Sequence, residues 1–320
     1  MRSFELTAPS TIDEAFGDTG TFLAGGTTLV DLMKLDVLTP QRVQNINALP
    51  LRGIDTSDGL RIGALERMSD VAENPGVPPV ISRALLQSAS QQLRNMASIG
   101  GNLMQRTRCG YFRDVDMPCN RRDPGSGCPA VEGANRMHAI LGTSDACVAT
   151  HASDLAVALV ALDAEVRLVS ASGERVVKLA DFYLQPGQTP EAEHDLREGE
   201  LIGEVIVPKL DWADRSTYVK VRDRQSYEFA LTSAAVALDV RDGVIADARV
   251  AVGGGATVPW KLGVVEDLLR GRPATQETFE AAAALAAEGA KPLSGNAFKV
   301  SLLKRTIVRA LLETTEGMQL

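Results

Sequence analysis

The sequence of 320 residues lacks the features that mark membrane and secreted proteins. No apolar run approaches the length that crosses a bilayer, and residues 1–6 contain no apolar core of a secretion signal. We therefore expect neither a membrane span nor an export signal carried by this chain.

A surplus of basic residues is also missing. The net charge is −8, and the basic residues do not gather into a stripe with aromatic side chains. Proteins that bind nucleic acid usually present a positive patch that neutralises phosphates. We therefore expect no nucleic acid among the partners. With 45% hydrophobic residues, the chain has the composition of an ordinary globular protein of two or three domains.

Histidine is scarce, and no set of nucleophile, base and orienting residue can be recognised. The three histidines, His138, His151 and His194, are isolated in the sequence. We interpret them as surface or structural residues and expect no catalytic residue on this chain. The activity that we expect is electron transfer rather than substrate chemistry.

Cysteine is absent from most of the chain, because Cys109, Cys119, Cys128 and Cys147 are the only four. Two disulfides are typical of small secreted domains, whereas this chain is long enough to bury a core. A structural zinc site normally has two close C-x2-4-C pairs, which the spacing C-x9-C-x8-C-x18-C does not contain. Unrelated buried cysteines would be expected to scatter. A [4Fe–4S] cluster offers four corners to thiolates on separate loops, so the pattern favours a cluster and leaves the alternatives open.

Several arginines flank the cysteines and could offset the negative charge of a cluster with thiolate ligands. They are Arg106, Arg108, Arg113, Arg121 and Arg122.

Two glycine pairs stand in positions that suit a phosphate-bearing ligand. The first lies in Phe22-Leu23-Ala24-Gly25-Gly26-Thr27-Thr28-Leu29, between a short apolar strand and a helical pattern, and the second lies in Ser98-Ile99-Gly100-Gly101-Asn102. Adjacent glycines let a backbone approach a ligand, and the N–H groups at a helix start favour a pyrophosphate. Taken alone, each motif is more typical of a plain turn. Further along, Ser153 can cap a helix and Asp154 can accept a hydrogen bond from a ribose hydroxyl.

The remaining pattern alternates helices and strands. A capping box at Thr11–Glu14 predicts a short helix, and apolar spacing predicts one helix from Val80 through Leu93, ending near Asn95. Two hairpins are predicted around Ser172-Gly173 and Asp242-Gly243, followed by three helices.

Together these motifs resemble the FAD-binding medium subunit of the molybdenum hydroxylases, the family of xanthine dehydrogenase, carbon monoxide dehydrogenase and 4-hydroxybenzoyl-CoA reductase. The two glycine motifs look like the two FAD pyrophosphate loops of that family, and Ser153-Asp154 looks like its Ser-Asp pair. The segment with Cys-x-Tyr-Phe-x-Asp and Pro-Gly-Ser-Gly-Cys is most similar to the FAD and [4Fe–4S] subunit of bacterial periplasmic aldehyde oxidoreductase. The likeness continues through Gly199–Pro208 and Tyr218–Leu231.

The resemblance implies an α+β fold, with a two-part FAD-binding domain of the CO dehydrogenase flavoprotein type and a C-terminal domain of antiparallel sheet and helices. We expect subdomains at 1–55 and 56–208, a cluster insertion at 105–150, and a C-terminal domain at 209–320. In the family, an apolar residue matching Ile202 packs near the isoalloxazine, and a lysine matching Lys220 lies near the flavin ring.

The resemblance also implies partners: a large molybdenum-cofactor subunit that oxidises an aldehyde, a small [2Fe–2S] subunit that passes on electrons, and an external electron acceptor. Alternatives are a 4-hydroxybenzoyl-CoA reductase-type subunit, a stand-alone FAD oxidase, and a zinc-stapled binding module without a redox role. The relative is exported with a signal-bearing partner, so we expect a periplasmic location by co-export, or a cytoplasmic one.

Overall fold

The computed structural model describes residues 1–315, which form three β-sheets with helices packed against them. The first sheet is parallel, in the order β1-β3-β2. Its elements are β1 (Glu5–Thr7), α1 (Ile12–Phe16), β2 (Thr21–Leu23), α2 (Leu29–Lys34) and β3 (Arg42–Asn45). Half of the predicted capping box forms, because Thr11 Oγ1 accepts the Glu14 N–H at 3.2 Å while the Glu14 carboxylate bonds to Ser10 instead.

The second sheet has five antiparallel strands in the order β4-β5-β8-β6-β7. These are β4 (Ile54–Asp55), β5 (Leu60–Gly63), β6 (Glu165–Ser170), β7 (Gly173–Lys178) and β8 (Leu201–Val207). Val166 and Val205 pair across β6 and β8 and are completely buried. The predicted hairpin of β6 and β7 is confirmed.

Helices α3 to α6 follow β5 and lead to the cysteine segment. They are α3 (Met68–Glu73), α4 (Pro79–Leu86), α5 (Gln91–Met96) and α6 (Ile99–Leu103). The prediction of one helix from Val80 through Leu93 was wrong, because the chain breaks between α4 and α5. Ala89 takes a left-handed φ of +50°, and the Ser90 hydroxyl caps α5 by accepting the Leu93 N–H at 3.3 Å. Ser88, just before the break, directs its hydroxyl at the Ala84 carbonyl, 2.7 Å away, and at the Asp154 carboxylate, 3.0 Å away.

The cysteine segment consists mainly of turns. It contains α7 (Gly110–Arg113) and a 3₁₀ turn, Pro129–Val131, and an isolated bridge joins Leu141 to Ala256 in the C-terminal part. It leads into α8 (Asp154–Ala161), which is buried along its whole length, and α9 (Leu179–Phe182) follows β7.

The third sheet is antiparallel, in the order β12-β11-β10-β9. Its strands are β9 (Ser216–Val221), β10 (Thr232–Arg241), β11 (Val244–Gly253) and β12 (Trp260–Lys261), and the helices that follow are α10 (Gly263–Leu269), α11 (Gln276–Ala284) and α12 (Phe298–Thr315). A 3₁₀ turn, Leu285–Ala287, extends α11. The predicted second hairpin and three C-terminal helices are confirmed.

One hydrophobic core joins the second and third sheets. It contains α4 and α8 together with Tyr218, Ala235 and Ala251 of the third sheet, and Trp260 packs against this core and against the one under α10 to α12. The expected α+β fold is confirmed. The division into domains at residues 55 and 208 stays a prediction. The last five residues of the predicted C-terminal domain, 316–320, lie outside the described residues. Among residues 1–315, no helix has the length and apolar character that crossing a membrane requires.

Candidate functional site

The first glycine motif forms the turn between β2 and α2. Gly26 has a φ of +73°, a left-handed conformation that glycine adopts without strain. A Cβ on Gly25 would overlap the carbonyl of Met96 and lie 2.9 Å from the Cα of Ala97. The sequence predicted that both glycines make room for a ligand, but Gly25 makes room for the backbone just before the second motif. This close approach brings the two glycine motifs together.

The second glycine motif is the first turn of α6, rather than the open turn expected from the sequence. Ser98 caps the helix, its Oγ accepting the Gly101 N–H at 3.2 Å. The Asn102 side-chain carbonyl accepts the Ser153 hydroxyl at 2.6 Å, and Ser153 Oγ in turn accepts the Ala156 N–H at 2.9 Å to cap α8. The Ser-Asp pair is therefore attached directly to the second glycine motif, although 51 residues separate Asn102 from Ser153.

The two glycines of this motif have different surroundings. A Cβ on Gly100 would come within 3.0 Å of the Ala64 side chain, so Gly100 is required for helix-to-strand packing. A Cβ on Gly101 would meet only the Ser98 hydroxyl, at 2.8 Å. A side chain at position 101 would therefore displace the Ser98 hydroxyl that caps α6, at a position that also lines two cavities.

Two cavities meet at the glycine motifs. The first, of about 320 Å³, is largely apolar, and the second, of about 500 Å³, is more polar. Of the described residues, only Thr27, Thr28 and Gly101 line both. Of the predicted residues, the apolar cavity is lined by Phe22, Ala24, Gly25, Gly26, Leu29, Ser98, Gly100 and Ile202, and the polar cavity by Asn102, Asp154 and Lys220. Leu23 lines neither, and Ile202 and Lys220 lie in different cavities.

A buried ionic network forms one wall of the polar cavity. Asp154 Oδ2 accepts the Lys220 ammonium at 2.7 Å, with side chains 8% and 1% exposed. The Tyr218 hydroxyl donates to Asp154 Oδ1 at 2.7 Å, and the Ser88 hydroxyl donates to Oδ2 at 3.0 Å. Burial, followed by the Asp154 charge, raises the pKa of Tyr218 well above its usual range. Lys220 also donates to the Gln87 carbonyl at 3.1 Å. Both carboxylate oxygens of Asp154 already accept hydrogen bonds within the protein. In this structure Asp154 therefore holds Lys220 in place, whereas the sequence suggested that it accepts from a ribose hydroxyl.

Positive charge gathers near the shared wall of the cavities. The Arg113 guanidinium donates to both oxygens of Asp31, at 2.8 and 3.0 Å, and Arg108 donates to the same carboxylate at 3.0 Å. Hydrogen bonding from Arg113 is the main reason that the pKa of Asp31 lies below its ordinary value. Two guanidinium groups against one carboxylate leave a net positive charge, which favours a phosphate.

The four cysteines are neighbours with free thiols. Cys119 and Cys147 are buried, and Cys109 and Cys128 are half-buried. Burial raises the pKa of the Cys109 thiol to about 11, and charge on Cys119 and Cys147 adds to the rise. Cys128 has a raised pKa for the same reasons: burial first, then charge on Cys147 and Cys119. Charge on Cys119 and Cys147 therefore acts on both Cys109 and Cys128.

Hydrogen-bond donors lie near three of these sulfurs. Backbone N–H groups of Phe112 and Tyr111 lower the pKa of the Cys109 thiol against the effect of burial, those of Val148 and Ala130 do so for Cys128, and the Ala149 N–H lies 3.5 Å from Cys147 Sγ. N–H donors of this kind stabilise thiolates and tune iron–sulfur clusters.

Among the five flanking arginines, Arg121 reaches a sulfur. It is buried, donates to Cys147 Sγ at 3.6 Å and pairs with Glu193 at 2.5 Å. Arg106 also pairs with Glu193, Arg108 and Arg113 bind Asp31, and Arg122 donates to the carbonyls of Tyr111, Phe112 and Met117. Most of this basic cluster therefore holds the cysteine loops in place.

Within residues 1–315, no group of three or more His, Cys, Asp or Glu side chains is arranged to hold a single metal ion. A [4Fe–4S] cuboid places its thiolates at four separate corners instead of around one ion. Four free thiols on one segment, three of them with N–H donors nearby, fit such a group.

A third cavity, of about 330 Å³, connects the cysteine segment with the polar cavity. Cys109, His138 and Ser153 line it, as does the C-terminal sheet at Ser233 and Gly254. It shares five residues with the polar cavity: Arg108, Ala152, Asp154, Glu228 and Phe229. The cysteine segment therefore borders the same space as the predicted flavin residues.

The histidines have different roles. His151 packs edge-on against Tyr183, with ring centroids 4.5 Å apart, and burial lowers its pKa to about 3. His194 stacks on Phe182 at 5.5 Å. His138 Nε2 lies 3.2 Å from Cys109 Sγ, and burial, followed by the Lys299 charge, lowers the pKa of His138 to about 4.

Four residues of the site were not predicted: Ser88, Tyr218, Arg121 as a sulfur donor, and His138. The only local signal was the serine at position 90, a common helix N-cap, which could have revealed the break beside Ser88. The other contacts join residues far apart in the sequence.

Comparison with known proteins matches two families to successive parts of the chain. Residues 2–210 match the family described as the FAD binding domain in molybdopterin dehydrogenase, and residues 217–314 match the CO dehydrogenase flavoprotein C-terminal domain. The chain is 48% identical over 299 residues to the aldehyde oxidoreductase FAD-binding subunit PaoB of Escherichia coli, covering 91% of this chain and 90% of that protein. It is 30% identical over 294 residues to the glyceraldehyde dehydrogenase medium chain of Sulfolobus acidocaldarius, covering 90% and 86%.

Solved structures share the fold. A chain of CO dehydrogenase from Oligotropha carboxidovorans superposes with a TM-score of 0.77 at 21% identity, covering 99% of both chains. A chain of quinoline 2-oxidoreductase from Pseudomonas putida 86 has a TM-score of 0.76 at 23% identity, covering 99% of this chain and 98% of that one.

Proposed function

This chain belongs to the family of FAD-binding medium subunits of molybdenum hydroxylases, and from that membership we propose that it is the electron-transfer subunit of an aldehyde oxidoreductase, holding FAD and a [4Fe–4S] cluster. In this role it passes electrons from the [2Fe–2S] clusters of a small partner subunit to an external acceptor, while aldehyde oxidation takes place on a large molybdenum-cofactor subunit. The observation that carries the proposal is the meeting of two cavities at both glycine motifs, with Cys109 lining the adjoining cavity.

The shape of this space suits an extended dinucleotide. We place the pyrophosphate at Thr27, Thr28 and Gly101, where both cavities can be reached and where the positive charge of Arg108 and Arg113 is near. The isoalloxazine ring then belongs in the polar cavity with Lys220, and the adenine end belongs in the apolar cavity with Ile202. The resemblance placed both residues near the ring, so Ile202 moves to the adenine end in this proposal.

FAD, when bound, exchanges electrons singly with one-electron carriers and in pairs with a two-electron acceptor. The chain's own residues position it and exclude water. Asp154 holds the Lys220 ammonium against the cavity wall, so a fixed positive charge faces the ring site. Ser153 and Asn102 fix the second glycine motif relative to α8.

We assign the cluster to Cys109, Cys119, Cys128 and Cys147. Arg121 supplies a buried positive charge near Cys147, and backbone N–H groups supply donors near Cys109 and Cys128. Because the cavity beside Cys109 shares Asp154 and Phe229 with the polar cavity, a cluster held by these thiolates lies next to the proposed ring site. That adjacency supports electron exchange between the two groups.

The aldehyde class rests on the relatives named above, one of them an aldehyde oxidoreductase subunit at 48% identity and the other a glyceraldehyde dehydrogenase medium chain. We keep this class ahead of the 4-hydroxybenzoyl-CoA reductase type for that reason. The compartment that we propose is the periplasm, reached by export together with a signal-bearing partner.

The visible spectrum and metal content of anaerobically purified protein test this proposal. We expect one FAD and four irons per chain, and we expect Cys119→Ser to lose iron while it keeps flavin, because serine is a poor ligand for iron in a cluster. Thr143→Ala, in the same segment but without a thiol, should keep both. Protein without flavin would refute the proposal as a whole, and flavin without iron would refute the cluster.

A further inference from the structure

The side chain of His138 is directed at one of the four cysteine sulfurs. Its Nε2 lies 3.2 Å from Cys109 Sγ, and the residue is 6% exposed. Its other ring nitrogen, Nδ1, is buried and has no hydrogen-bond partner among the described residues. The ring therefore makes one polar contact through its side chain, and that contact is to sulfur.

Neighbouring elements hold the ring in this position. The His138 N–H donates to the Asn135 carbonyl at 3.0 Å, and the Ala139 N–H donates to the Val148 carbonyl at 2.9 Å. Asn296, completely buried, donates its side-chain amide to the carbonyls of both His138 and Ala139, at 3.1 and 3.3 Å. Because the backbone is fixed on both sides, the contact to Cys109 is built into the fold.

The chemistry of the pair fixes the direction of the hydrogen bond. A cysteine that binds iron is a thiolate and can only accept. A nitrogen lone pair facing it at 3.2 Å would be repelled, so the imidazole places its proton on Nε2. Nδ1 then carries the lone pair of the neutral ring.

From this geometry we infer that His138 is a positioning residue for the cluster, donating Nε2–H to the Cys109 thiolate and raising the cluster's reduction potential. The inference rests on the proposed function, because it requires a cluster at the four cysteines. A donor to a ligand sulfur offsets negative charge, and the reduced state carries more of that charge, so the donor favours reduction.

The test compares two substitutions in the complex as it is purified with its partner subunits. Gln keeps an N–H at about the reach of Nε2, whereas Leu removes the donor but keeps an apolar side chain. A redox titration, followed by the low-temperature electron paramagnetic resonance signal of the reduced cluster, should show His138→Leu shifted to a more negative potential. We expect a change of about tenfold in the one-electron equilibrium constant, which corresponds to about 59 mV. His138→Gln should stay close to the unsubstituted protein.

A second measurement begins with the unsubstituted protein and needs only one variant as its control. The sequence has only three histidines, so uniform ¹⁵N-histidine labelling marks few positions. Pulsed electron paramagnetic resonance of the reduced cluster should detect one weakly coupled histidine nitrogen, and this coupling should vanish in His138→Gln made in the same labelled background.

The outcomes separate the two proposals. A protein without iron overturns the cluster and this inference with it. A cluster that shows no histidine coupling, or whose potential is the same in His138→Leu, overturns only the role of His138.

Discussion

The buried pair of Asp154 and Lys220 predicts a large and specific loss of stability when either partner is removed. Their side chains are 8% and 1% exposed and 2.7 Å apart. Removing one partner of such a pair leaves an uncompensated buried charge, which costs about 3–5 kcal/mol. Asp154→Asn leaves the ammonium of Lys220 unpaired, and Lys220→Met leaves the carboxylate unpaired, so each should lower the free energy of unfolding by about 3 kcal/mol.

The double variant distinguishes charge pairing from simple loss of packing. With both charges gone, the asparagine introduced at position 154 can still accept from Tyr218, so the double variant should be more stable than the sum of the singles predicts by about 2 kcal/mol. Urea unfolding of FAD-free protein, followed by the fluorescence of Trp212 and Trp260 and by circular dichroism, measures this. Leaving FAD out keeps flavin binding from contributing to the apparent stability.

An exposed pair on α12 serves as the control for this cycle. Arg309 and Glu313 are 2.8 Å apart, but their side chains are 70% and 28% exposed. The same cycle with Arg309→Met and Glu313→Gln should give a coupling below about 0.5 kcal/mol. If the Asp154–Lys220 coupling is no larger than this control, the reasoning about the buried network is refuted.

Two further predictions concern the glycine motifs and a buried lysine. Gly101→Ala should weaken FAD binding at least about tenfold in a fluorescence titration, because the added Cβ would displace the Ser98 hydroxyl at the wall that the two cavities share. Gly25→Ala should destabilise FAD-free protein by overlapping the Met96 backbone. Unchanged FAD affinity in Gly101→Ala would contradict the proposed pyrophosphate position. Lys299 is completely buried and donates to the carbonyls of Met137 and Gly254, and burial, followed by the Arg136 charge, lowers its pKa to about 7. Between that value and the ordinary lysine pKa the unfolded chain binds the extra proton, so stability should rise with pH over this window by up to about 1.4 kcal/mol per pH unit and be constant below it. Lys299→Met should flatten this dependence and Lys304→Met on the same helix should keep it; an equal slope in Lys299→Met would contradict the assignment.

The sequence predicted the elements whose pattern is local. The hairpins at Ser172-Gly173 and Asp242-Gly243 form as expected, because alternating apolar residues and a turn specify them over a few positions. The helix break at Ala89 was missed, because the apolar spacing continues across it. Beside the local Ser90 cap, a distant contact also holds this segment: the Ser88 hydroxyl donates to Asp154, 66 residues away.

The site shows the same division. The order of the two glycine motifs and the Ser-Asp pair could be recognised from sequence, and the structure brings Asn102 and Ser153 into direct contact. The reason for a glycine at position 25 could not be recognised from the sequence, because the atoms that exclude a side chain there belong to the distant backbone of Met96. His138 is isolated in the sequence, and only the folded cysteine segment places it against Cys109. Contacts that depend on tertiary packing leave no spacing in the sequence to read.

Reduction of the flavin by an aldehyde would show whether electrons from aldehyde oxidation on a partner subunit reach this chain. The complex of this chain with its partner subunits, kept anaerobic, is mixed with an aldehyde, and flavin absorbance is followed without an added acceptor. We expect the flavin to bleach in the complex and to stay oxidised when this chain is mixed with the aldehyde alone. A flavin that stays oxidised in the complex while the partner clusters become reduced would contradict this expectation.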